Sequence, residues 1–318
     1  MTNEKIKLII DTDPGHDDAM AILMLLANPN IDIRTITTVA GNSTIENTTR
    51  NARYILKLAK NKTIPVFDGA AKPLNKKLIL ADVHGASGLD GSETLSLGSI
   101  TLENNATDRI IELVNSDPGK ITILALGPLT NIAQAFLKDP KLFTKIKQLI
   151  IMGGAIGVCG NKSRVAEFNF FVDPEAAKIV LETNIEKILI PLDACKDIFL
   201  ADRDIVKIKN GPIGYVLKQM LKPYIKNLAL FDGLKGAMMY DPLAAYYLVN
   251  PQAFSLQKAD IVVETKGEFT AGMSVIENRA KVKKLFNVLL TTKIDRSQFI
   301  KDFIASINTL DNRKEASQ

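Results

Sequence analysis

The sequence predicts an α/β protein, with a single large domain built on a mostly parallel central sheet flanked by helices, as in a Rossmann-like open sheet. Three observations favour this class. A buried-strand pattern at residues 6–10 is followed by a helix-forming segment, strand and helix patterns alternate over the first hundred residues, and polar residues recur where predicted strands end. No repeat, low-complexity stretch or linker divides the chain, so we assign residues 1–310 to one domain and 311–318 to a disordered tail.

The first part of the chain reads β-α-β-α-β. Residues 6–10 form an apolar run typical of a buried parallel strand. Asp13 suits the N-cap and Pro14 the first position of a helix that continues through residues 19–26. The following patterns are a strand at 31–40, a helix at 45–60 capped by Ser43 or Thr44, and a strand at 64–67. This order predicts parallel strands joined by right-handed crossovers.

The alternation is interrupted at residues 68–104, a glycine-rich segment that predicts a long loop, and then resumes. The predicted helices are 106–115, 132–137, 174–183, much of 198–230, 241–249 and 297–307. The predicted strands are 121–126, 149–152, 188–191, 261–265, 273–276 and 286–292. Pro212 and Pro223 are expected to interrupt the long helical segment.

Composition excludes several classes of function. The net charge is +5, and no dense Lys/Arg block with interleaved aromatic residues indicates nucleic-acid binding. Two cysteines, Cys159 and Cys195, and two histidines cannot furnish a convincing zinc site. No apolar run reaches ~18 residues and the first residues lack a signal-peptide pattern. We therefore expect a soluble cytoplasmic protein without a membrane or nucleic-acid partner.

Four carboxylates follow the first strand within eight positions: Asp11, Asp13, Asp17 and Asp18. One Asp there would be ordinary capping, but four repel one another unless a cation or protons neutralise them. A cluster with only oxygen ligands suits a hard cation, Ca²⁺ or Mg²⁺. The alternative is one helix cap with solvated surface acids. We favour the cation site because the run directly follows a buried strand.

Other polar positions coincide with predicted strand ends. They are Asn42, the turn after Leu126, the glycine pair after Met152, and Asp241. Because open α/β sheets bind ligands at the carboxyl ends of their strands, this convergence predicts an active site at that edge. No GxGxxG, GxxxxGK[ST] or GxSxG motif supports a dinucleotide, triphosphate or serine-hydrolase site.

A further polar segment spans residues 161–169. Glu167 and Asn169 flank Phe168, and in a strand they would share one face and suit a polyol such as ribose. The alternative is a surface loop of ordinary polarity. His84, alone in the long loop, is by itself more typical of a surface residue than of a ligand.

The segment DTDPGHDDAMAIL resembles the N-terminal signature of the calcium-dependent nucleoside hydrolases of the inosine–uridine preferring type. Similar segments of that family recur here in order across residues 11–242. They are DxDPGxDD at 11–18, TVAGN at 38–42, LGPLTN at 126–131, MGG at 152–154, Asn161 with EFN at 167–169, DPEAA at 173–177, and DP at 241–242. Each segment alone is weak, but the ordered set is highly specific.

The resemblance implies the following roles. The carboxylates of Asp13, Asp18 and Asp241 and the backbone carbonyl of Leu126 would bind Ca²⁺, and Asp17 would be the general base on a calcium-bound water. Asp13 and Asp241 would also contact the ribose, whose site would be lined by Asn42, Met152, Asn161, Glu167 and Asn169. His84 would lie close to the nucleoside, and Asp11 would support the turn. The implied activity is hydrolysis of the N-glycosidic bond of ribonucleosides in nucleoside salvage, by a homodimer or homotetramer.

This chain departs from the family pattern at Tyr240, where many members carry a His that is taken as the acid for the leaving base. A tyrosine, with a reference pKa of ~10, is a poorer proton donor near neutrality than histidine. We expect Tyr240, or a residue in 215–240 such as Tyr215 or Tyr224, to assist the leaving group.

Two alternative functions stay open at this point. The DxD of residues 11–13 could belong to a haloacid-dehalogenase-like, Mg²⁺-dependent phosphohydrolase, although Gly15 stands where that family requires Thr or Val. A non-catalytic ribonucleoside-binding protein would keep the Asp ligands without turnover, but the presence of Asp17 argues against it.

Overall fold

The computed structural model describes residues 4–92 and 101–315. Its strands are β1 Ile6–Thr12, β2 Ile31–Thr38, β3 Val66–Asp68, β4 Ile121–Ala125, β5 Gln148–Met152, β6 Lys187–Ile190, β7 Phe199–Leu200, β8 Ala237–Met238, β9 Phe254–Ala259, β10 Ile261–Val263, β11 Ser274–Ile276 and β12 Val288–Ile294. Its helices are α1 His16–Ala27, α2 Ile45–Leu58, α3 Ala106–Ser116, α4 Thr130–Lys138, α5 Phe168–Val172, α6 Pro174–Leu181, α7 Leu192–Cys195, α8 Asp202–Ile205, α9 Pro212–Phe231, α10 Tyr240–Val249 and α11 Arg296–Glu315.

The central sheet has eight strands in the order β3-β2-β1-β4-β5-β6-β12-β9. Seven of them are parallel, and β9 is the antiparallel edge strand beside β12. This arrangement confirms the predicted α/β class with a mostly parallel sheet. The strand order reverses direction beside β1, between β2 and β4, which is where such sheets open a crevice for ligands.

The alternation of side chains along the strands divides the core into two layers. Leu8 and Ile10 of β1 face one side, where α1, α2, α9, α10 and α11 pack, whereas Ile9 faces the other side, where α3, α4 and α6 pack. Because both faces are covered, the strands read as continuous apolar runs in the sequence. The chain therefore forms three layers, helices on sheet on helices.

The start of α1 differs from the prediction. Gly15 is the N-cap and His16 the first helical residue, so Asp13 and Pro14 do not begin the helix. The Asp13 carboxylate instead accepts the backbone N–H of Asn42 at 2.7 Å, across the carboxyl edge of the sheet. The prediction missed this contact because it considered only local helix capping, whereas Asp13 and Asn42 are 29 positions apart in the sequence.

The segment around Glu167 is also not a strand. Glu167 is the N-cap of the short helix α5, and its carboxylate accepts the N–H groups of Asn169 and Phe170. Glu167 and Asn169 therefore do not share a strand face, and they reach the pocket from a helix cap and its first turn.

Two proline expectations and the C-terminal part need correction. Pro212 opens α9, and Pro223 lies inside this helix of 20 residues, which continues past it.

The edge strand β9 was not predicted, and α11 continues to Glu315 rather than ending near residue 307. The first residues assigned to a tail are thus helical, and residues 316–318 and Gly98 lie outside the described residues.

Within the described ranges, no helix combines the length and the apolar character needed to cross a lipid bilayer.

Candidate active site

A pocket opens at the carboxyl edge of the sheet and encloses about 660 Å³, counting its open mouth, which is within the size range of small-molecule sites. Eleven of the sequence-predicted residues line it: Asp17, Asn42, His84, Leu126, Met152, Asn161, Glu167, Asn169, Tyr224, Tyr240 and Asp241. They come from the ends of β2, β4 and β5, from the first turns of α1 and α10, from α5 and its N-cap, from α9, and from the loops that carry His84 and Asn161. The predicted convergence of polar strand ends therefore exists in the fold.

Three carboxylates meet beside this pocket, and two of them, those of Asp17 and Asp241, line it. Oxygen atoms of Asp17, Asp18 and Asp241 lie within 4.8 Å of one another, and all three side chains are buried. Asp17 and Asp18 come from the first turn of α1, and Asp241 comes from the first turn of α10, which packs against α1. The N-termini of two helices thus place their carboxylates close together, where the helix dipoles partly stabilise negative charge.

Asp18 and Asp13 are tied to neighbouring groups by hydrogen bonds. Asp18 accepts the Thr12 hydroxyl, the Gly15 N–H at 2.8 Å and the Asn42 amide at 3.1 Å. Asp13 presents one oxygen to the Asn42 N–H, and its other oxygen, Oδ1, is buried without a hydrogen-bond partner.

Two glycines make room for the Asp13 carboxylate. A Cβ at Gly41 would stand 2.1 Å from its Oδ2, and a Cβ at Gly127 would stand 2.6 Å from its Oδ1. Both distances are far inside van der Waals contact, so these positions require glycine. This explains physically why glycine follows the strand ends in the 38–42 and 126–131 segments.

Burial and mutual repulsion perturb the acids in the same direction. Burial, followed by repulsion from Asp18, raises the pKa of Asp13 and of Asp17 well above the ordinary value. The pKa of Asp241 is raised well above its ordinary value for the same reasons, and that of Asp18 is raised by burial. The cluster without a cation therefore favours bound protons, and a cation would replace them.

The donor set fits a hard divalent cation. Asp13 Oδ1 and Asp17 Oδ1 are both buried without a partner, and the carboxylate oxygens of Asp18 and Asp241 lie beside Asp17. Ca²⁺ and Mg²⁺ prefer such oxygen ligands. The compact group of three contains Asp17 rather than Asp13, which differs from the ligand set of Asp13, Asp18 and Asp241 implied by the resemblance.

Asn169 connects the ends of two neighbouring strands in the wall of the pocket. Its side-chain amide donates to the Leu126 carbonyl at 2.7 Å and to the Met152 carbonyl at 3.2 Å. These contacts fix the orientation of two carbonyl groups at the ends of β4 and β5. The Leu126 carbonyl keeps a second lone pair for another ligand.

Glu167 is buried beside Asn169. Its carboxylate accepts the N–H groups of Gly154, Asn169 and Phe170 at 3.0, 2.9 and 3.2 Å. Burial raises the Glu167 pKa to about 7, although these hydrogen bonds oppose the shift. Asn161, more exposed, accepts the Phe168 N–H at 2.9 Å. Acceptors and amides arranged this way suit sugar hydroxyls.

His84 is buried, unlike the surface residue that its position in a loop suggests. Its Nε2 lies 3.8 Å from Asp17 Oδ1, and its ring stacks on Tyr224, with centroids 5.3 Å apart. Burial lowers the pKa of His84 well below its usual value, and the neighbouring His16 lowers it further. Both effects favour the neutral form of the His84 imidazole near neutral pH.

The tyrosine candidates separate into two groups. Tyr240 and Tyr224 line the pocket, whereas Tyr215 is 53% exposed and lies outside it, so the expectation for Tyr215 is wrong. Burial raises the pKa of the Tyr240 hydroxyl above its usual value, which keeps it protonated near neutrality.

Asp11 does not reach the pocket and instead joins strand ends. It accepts the Thr37 hydroxyl at 2.6 Å and the Asn131 amide at 2.8 Å, and burial raises its pKa to about 6. Asn131, which the sequence analysis placed only in a turn, also donates to the Thr38 carbonyl and accepts the Ala70 N–H. Asn131 thus holds the ends of β1, β2 and β3 together beneath the site.

The mouth of the pocket contains residues that sequence reasoning missed. Leu228, Phe231 and Asp232 come from the end of α9, and Lys162 bridges the loop carbonyl of Leu80 at 3.1 Å and Asp82 at 3.2 Å. The only available signal was the one-sided apolar pattern of α9, which does not say that its last turn overhangs a cavity.

Comparison with known proteins gave consistent matches. The family model described as "Inosine-uridine preferring nucleoside hydrolase" matches residues 8–301. The pyrimidine-specific ribonucleoside hydrolase RihA of Salmonella paratyphi C is 37% identical over 301 residues, covering 93% of this chain and 96% of the relative.

Solved structures agree with the sequence matches. A plant nucleoside hydrolase, the PpNRh1 enzyme, superposes with a TM-score of 0.89 at 31% identity, covering 95% of this chain and 98% of the other. A purine-preferring ribonucleoside hydrolase from Gardnerella vaginalis superposes with a TM-score of 0.88 at 27% identity, covering 96% and 99% of the two chains.

Proposed function

Because the chain belongs to the inosine–uridine preferring nucleoside hydrolase family, and therefore hydrolyses the N-glycosidic bond of ribonucleosides to ribose and free base, we propose that its acidic pocket is the catalytic site. Within this pocket Asp17 is the general base. The haloacid-dehalogenase-like phosphohydrolase and the non-catalytic binding protein find no support, since the family model and the named relatives are nucleoside hydrolases.

The observation that carries the role of Asp17 is its free oxygen. Asp17 lines the pocket, and its Oδ1 is buried without a hydrogen-bond partner. Burial and the nearby Asp18 raise its pKa, which makes the carboxylate a stronger base than a solvated one. Asp17 takes a proton from the attacking water as the water oxygen bonds to C1′ and the bond from C1′ to the base breaks.

The donor set supports a hard divalent cation, and the resemblance to the family implies that this cation is Ca²⁺. The family is metal-dependent, and an acidic cluster is present in the pocket. We assign Ca²⁺ as the cation, held by the carboxylates of Asp13, Asp18 and Asp241 and the carbonyl of Leu126. When bound, the ion supplies positive charge that lowers the pKa of nearby water and attracts ribose hydroxyls. The unpartnered Asp13 Oδ1 supports Asp13 as one of its ligands.

The ribose lies between the acids and the α5 wall. Asn42, Met152, Asn161, Glu167 and Asn169 line this space, together with Asp241 from the acidic side. Asp13 does not line the pocket itself, and its carboxylate accepts the backbone N–H of Asn42, which does. Hydrogen bonds fix Glu167 and Asn169 before the ligand arrives, so little side-chain ordering is left for binding. Surrounding acids also stabilise the cationic character that the ribose acquires as the bond to the base breaks.

The base leaves towards His84 and Tyr240. Both residues line the pocket, and His84 Nε2 faces Asp17. The Tyr240 hydroxyl stays protonated because burial raises its pKa, so it donates a hydrogen bond to the leaving base rather than a whole proton. Relatives named pyrimidine-specific and purine-preferring both match this chain, so similarity assigns no preferred base.

We further place the enzyme in the cytoplasm, in nucleoside salvage, as a homodimer or homotetramer. Two cysteines without a pairing pattern fit a reducing compartment, and burial raises the pKa of the Cys195 thiol, which keeps it unreactive. Sedimentation velocity measures the assembly, and a monomer at micromolar concentration would contradict the expected oligomer.

The test of the catalytic role is Asp17→Asn, assayed by ribose release from a panel of purine and pyrimidine ribonucleosides. We expect kcat to fall by about 10²–10⁴-fold because the general base is lost. The matched control is Asp204→Asn, which removes a buried carboxylate of α8 outside the pocket and is expected to leave kcat unchanged. Equal activity of Asp17→Asn and wild-type protein would refute the assignment.

A further inference from the structure

Three segments form the mouth of the pocket: the loop at residues 80–84, the loop at residues 160–166, and the end of α9. The side chain of Lys162, in the second loop, reaches across to the first. Its Nζ donates to the Leu80 carbonyl at 3.1 Å and to the Asp82 carboxylate at 3.2 Å. Lys162 therefore spans one side of the opening through which a substrate enters.

The backbone around Lys162 folds back on itself, so this side chain starts from a fixed position. The N–H groups of Lys162 and Ser163 donate to the Ala166 carbonyl at 3.2 and 3.3 Å. A Cβ at Gly160 would stand 2.1 Å from the Ala166 carbonyl oxygen, so the loop closes in this way only with glycine there. The Phe168 ring, whose centroid lies 5.8 Å from the Lys162 Nζ, stabilises the ammonium group further.

The loop at residues 80–84 is also held from the side of α9. The Asn227 amide donates to the Val83 carbonyl at 3.1 Å. The loop is thus fixed between two parts of the fold, and it carries His84, whose Nε2 lies 3.8 Å from Asp17 Oδ1. The position of this loop therefore determines the shape of the pocket opposite Asp17.

The ion pair between Lys162 and Asp82 is partly open to water. The Lys162 side chain is 21% exposed, and that of Asp82 is 68% exposed. A pair of this kind contributes little to stability, and salt weakens it by screening. The pair can therefore break and re-form without unfolding its surroundings, as a contact at the mouth of a pocket must do when a substrate enters.

We propose that Lys162 is a positioning residue that connects the two loops and holds the mouth of the pocket in its substrate-binding shape. The inference rests on the proposed function in one respect, that the ribonucleoside occupies this pocket. While Lys162 makes its contacts, little binding free energy is used to order the 80–84 loop. Without them, only the molecules with the loop in place bind substrate, and KM rises by the inverse of that fraction. The bound complex keeps the same reacting groups, so kcat stays unchanged.

Steady-state kinetics on ribonucleosides that are uncharged at neutral pH, with saturating Ca²⁺, test the proposal. Lys162→Met keeps an unbranched apolar side chain but removes the charge and both hydrogen bonds. We expect its KM to rise by about three- to tenfold, with kcat within about twofold of wild type. Lys162→Arg restores a charged donor, so its KM should stay within about twofold of wild type. A wild-type KM for Lys162→Met would overturn the proposal.

Lys76→Met is the matched control. Lys76 belongs to the same long loop, donates to the Phe171 carbonyl at 2.9 Å and lies 4.5 Å from the centroid of the Phe171 ring, but it does not line the pocket. Its KM and kcat should both stay within about twofold of wild type. Equal increases in KM for Lys76→Met and Lys162→Met would indicate general loosening of the loop and refute the proposal.

Salt provides a readout that a merely structural role would not change. The net charge of the protein does not attract an uncharged ribonucleoside, so an effect of salt on KM reports on ion pairs within the protein. Between about 0.05 M and about 1 M NaCl, we expect the KM of wild type to rise about two- to threefold more than that of Lys162→Met. The same salt dependence in both proteins would contradict the proposal.

The Asp17→Asn variant separates the two levels of the inference. If it releases ribose as fast as wild type, the catalytic part of the proposed function is wrong, while the KM of Lys162→Met still tests the connection across the mouth. If Asp17→Asn is inactive and Lys162→Met has the KM of wild type, only the role of Lys162 is wrong.

Discussion

The carboxylates of Asp13, Asp17, Asp18 and Asp241 are buried close together, and their raised pKa values follow from that placement. Residue types and order predict such a cluster, because four acids after a buried strand need neutralisation. Which oxygen lacks a partner is not predictable from sequence, since it depends on Asn42 reaching Asp13 and Asp18.

Among residues outside the acidic cluster, Tyr240 gives the most specific prediction for a single substitution. Tyr240→Phe removes only the hydroxyl, so we expect kcat to fall by about tenfold on nucleosides with poor leaving groups, through loss of one hydrogen bond to the base. Because burial raises the pKa of this hydroxyl, its titration should not appear in the pH–rate profile near neutrality.

Tyr215→Phe is the matched control, because Tyr215 is exposed and outside the pocket. Its kinetics on the same nucleoside panel should equal those of wild type. Full turnover by Tyr240→Phe on every nucleoside would show that the hydroxyl has no part in leaving-group activation.

At the scale of elements, Asp173 joins three parts of the fold behind the site. It caps α6 by accepting the Ala176 N–H at 3.0 Å, and its second oxygen accepts the Leu74 N–H at 2.9 Å and the Thr130 hydroxyl at 2.7 Å. Removing this carboxylate leaves three donors unpaired, and two of them belong to the buried residues Ala176 and Thr130. This carboxylate therefore stabilises α6, α4 and the long loop together.

Asp173→Ala should lower the free energy of unfolding by about 1–3 kcal/mol, the sum expected for a lost cap and unpaired donors. Denaturant unfolding measures this change. Asp108→Ala, which removes an exposed acid in the first turn of α3, is the control and should change stability by no more than about 0.5 kcal/mol. A loss no larger for Asp173→Ala than for the control would contradict the capping account.

Local patterns predicted most of the central elements for a physical reason. The strands β1, β4, β5 and β6 are buried on both faces, so their apolar runs are distinct in the sequence. The edge strand β9 was missed because it exposes Ser255, Gln257 and Lys258. It is defined by its pairing with β12, whose residues lie 29 (Ala259–Val288) to 40 (Phe254–Ile294) positions later. The start of α1 was misplaced because a distant contact, not a local cap, holds Asp13.

At the scale of the whole molecule, the buried acids couple folding to pH and to cation binding. Burial raises the pKa of Glu167 to about 7, and those of Asp13, Asp17 and Asp241 well above their ordinary values. A carboxyl with a raised folded-state pKa stabilises the fold at low pH, and this stability is lost as the pH rises through that pKa. The two buried histidines have lowered pKa values and therefore the opposite effect on stability. They make stability rise with pH, but only below their ordinary pKa of 6.5.

We therefore expect the Tm of chelator-treated protein to fall from pH 6.5 to pH 8, by about 2–4 °C for each kcal/mol of lost stability. Added Ca²⁺ should raise Tm more at pH 8 than at pH 6.5, because it replaces protons that are then absent. Differential scanning calorimetry checks both statements. A metal-free Tm that rises over this interval would contradict the account of the acidic cluster.

Ribose release from purine and pyrimidine ribonucleosides by chelator-treated protein, before and after Ca²⁺ is restored, measures directly whether the buried carboxylates act through a bound cation. We predict almost no release without the ion and recovery of turnover with Ca²⁺, at rates that differ among the bases. Undiminished release from protein shown to be metal-free would contradict the claim that the buried carboxylates act by holding a cation. Absence of release from folded, calcium-loaded protein would contradict the assigned site and its chemistry.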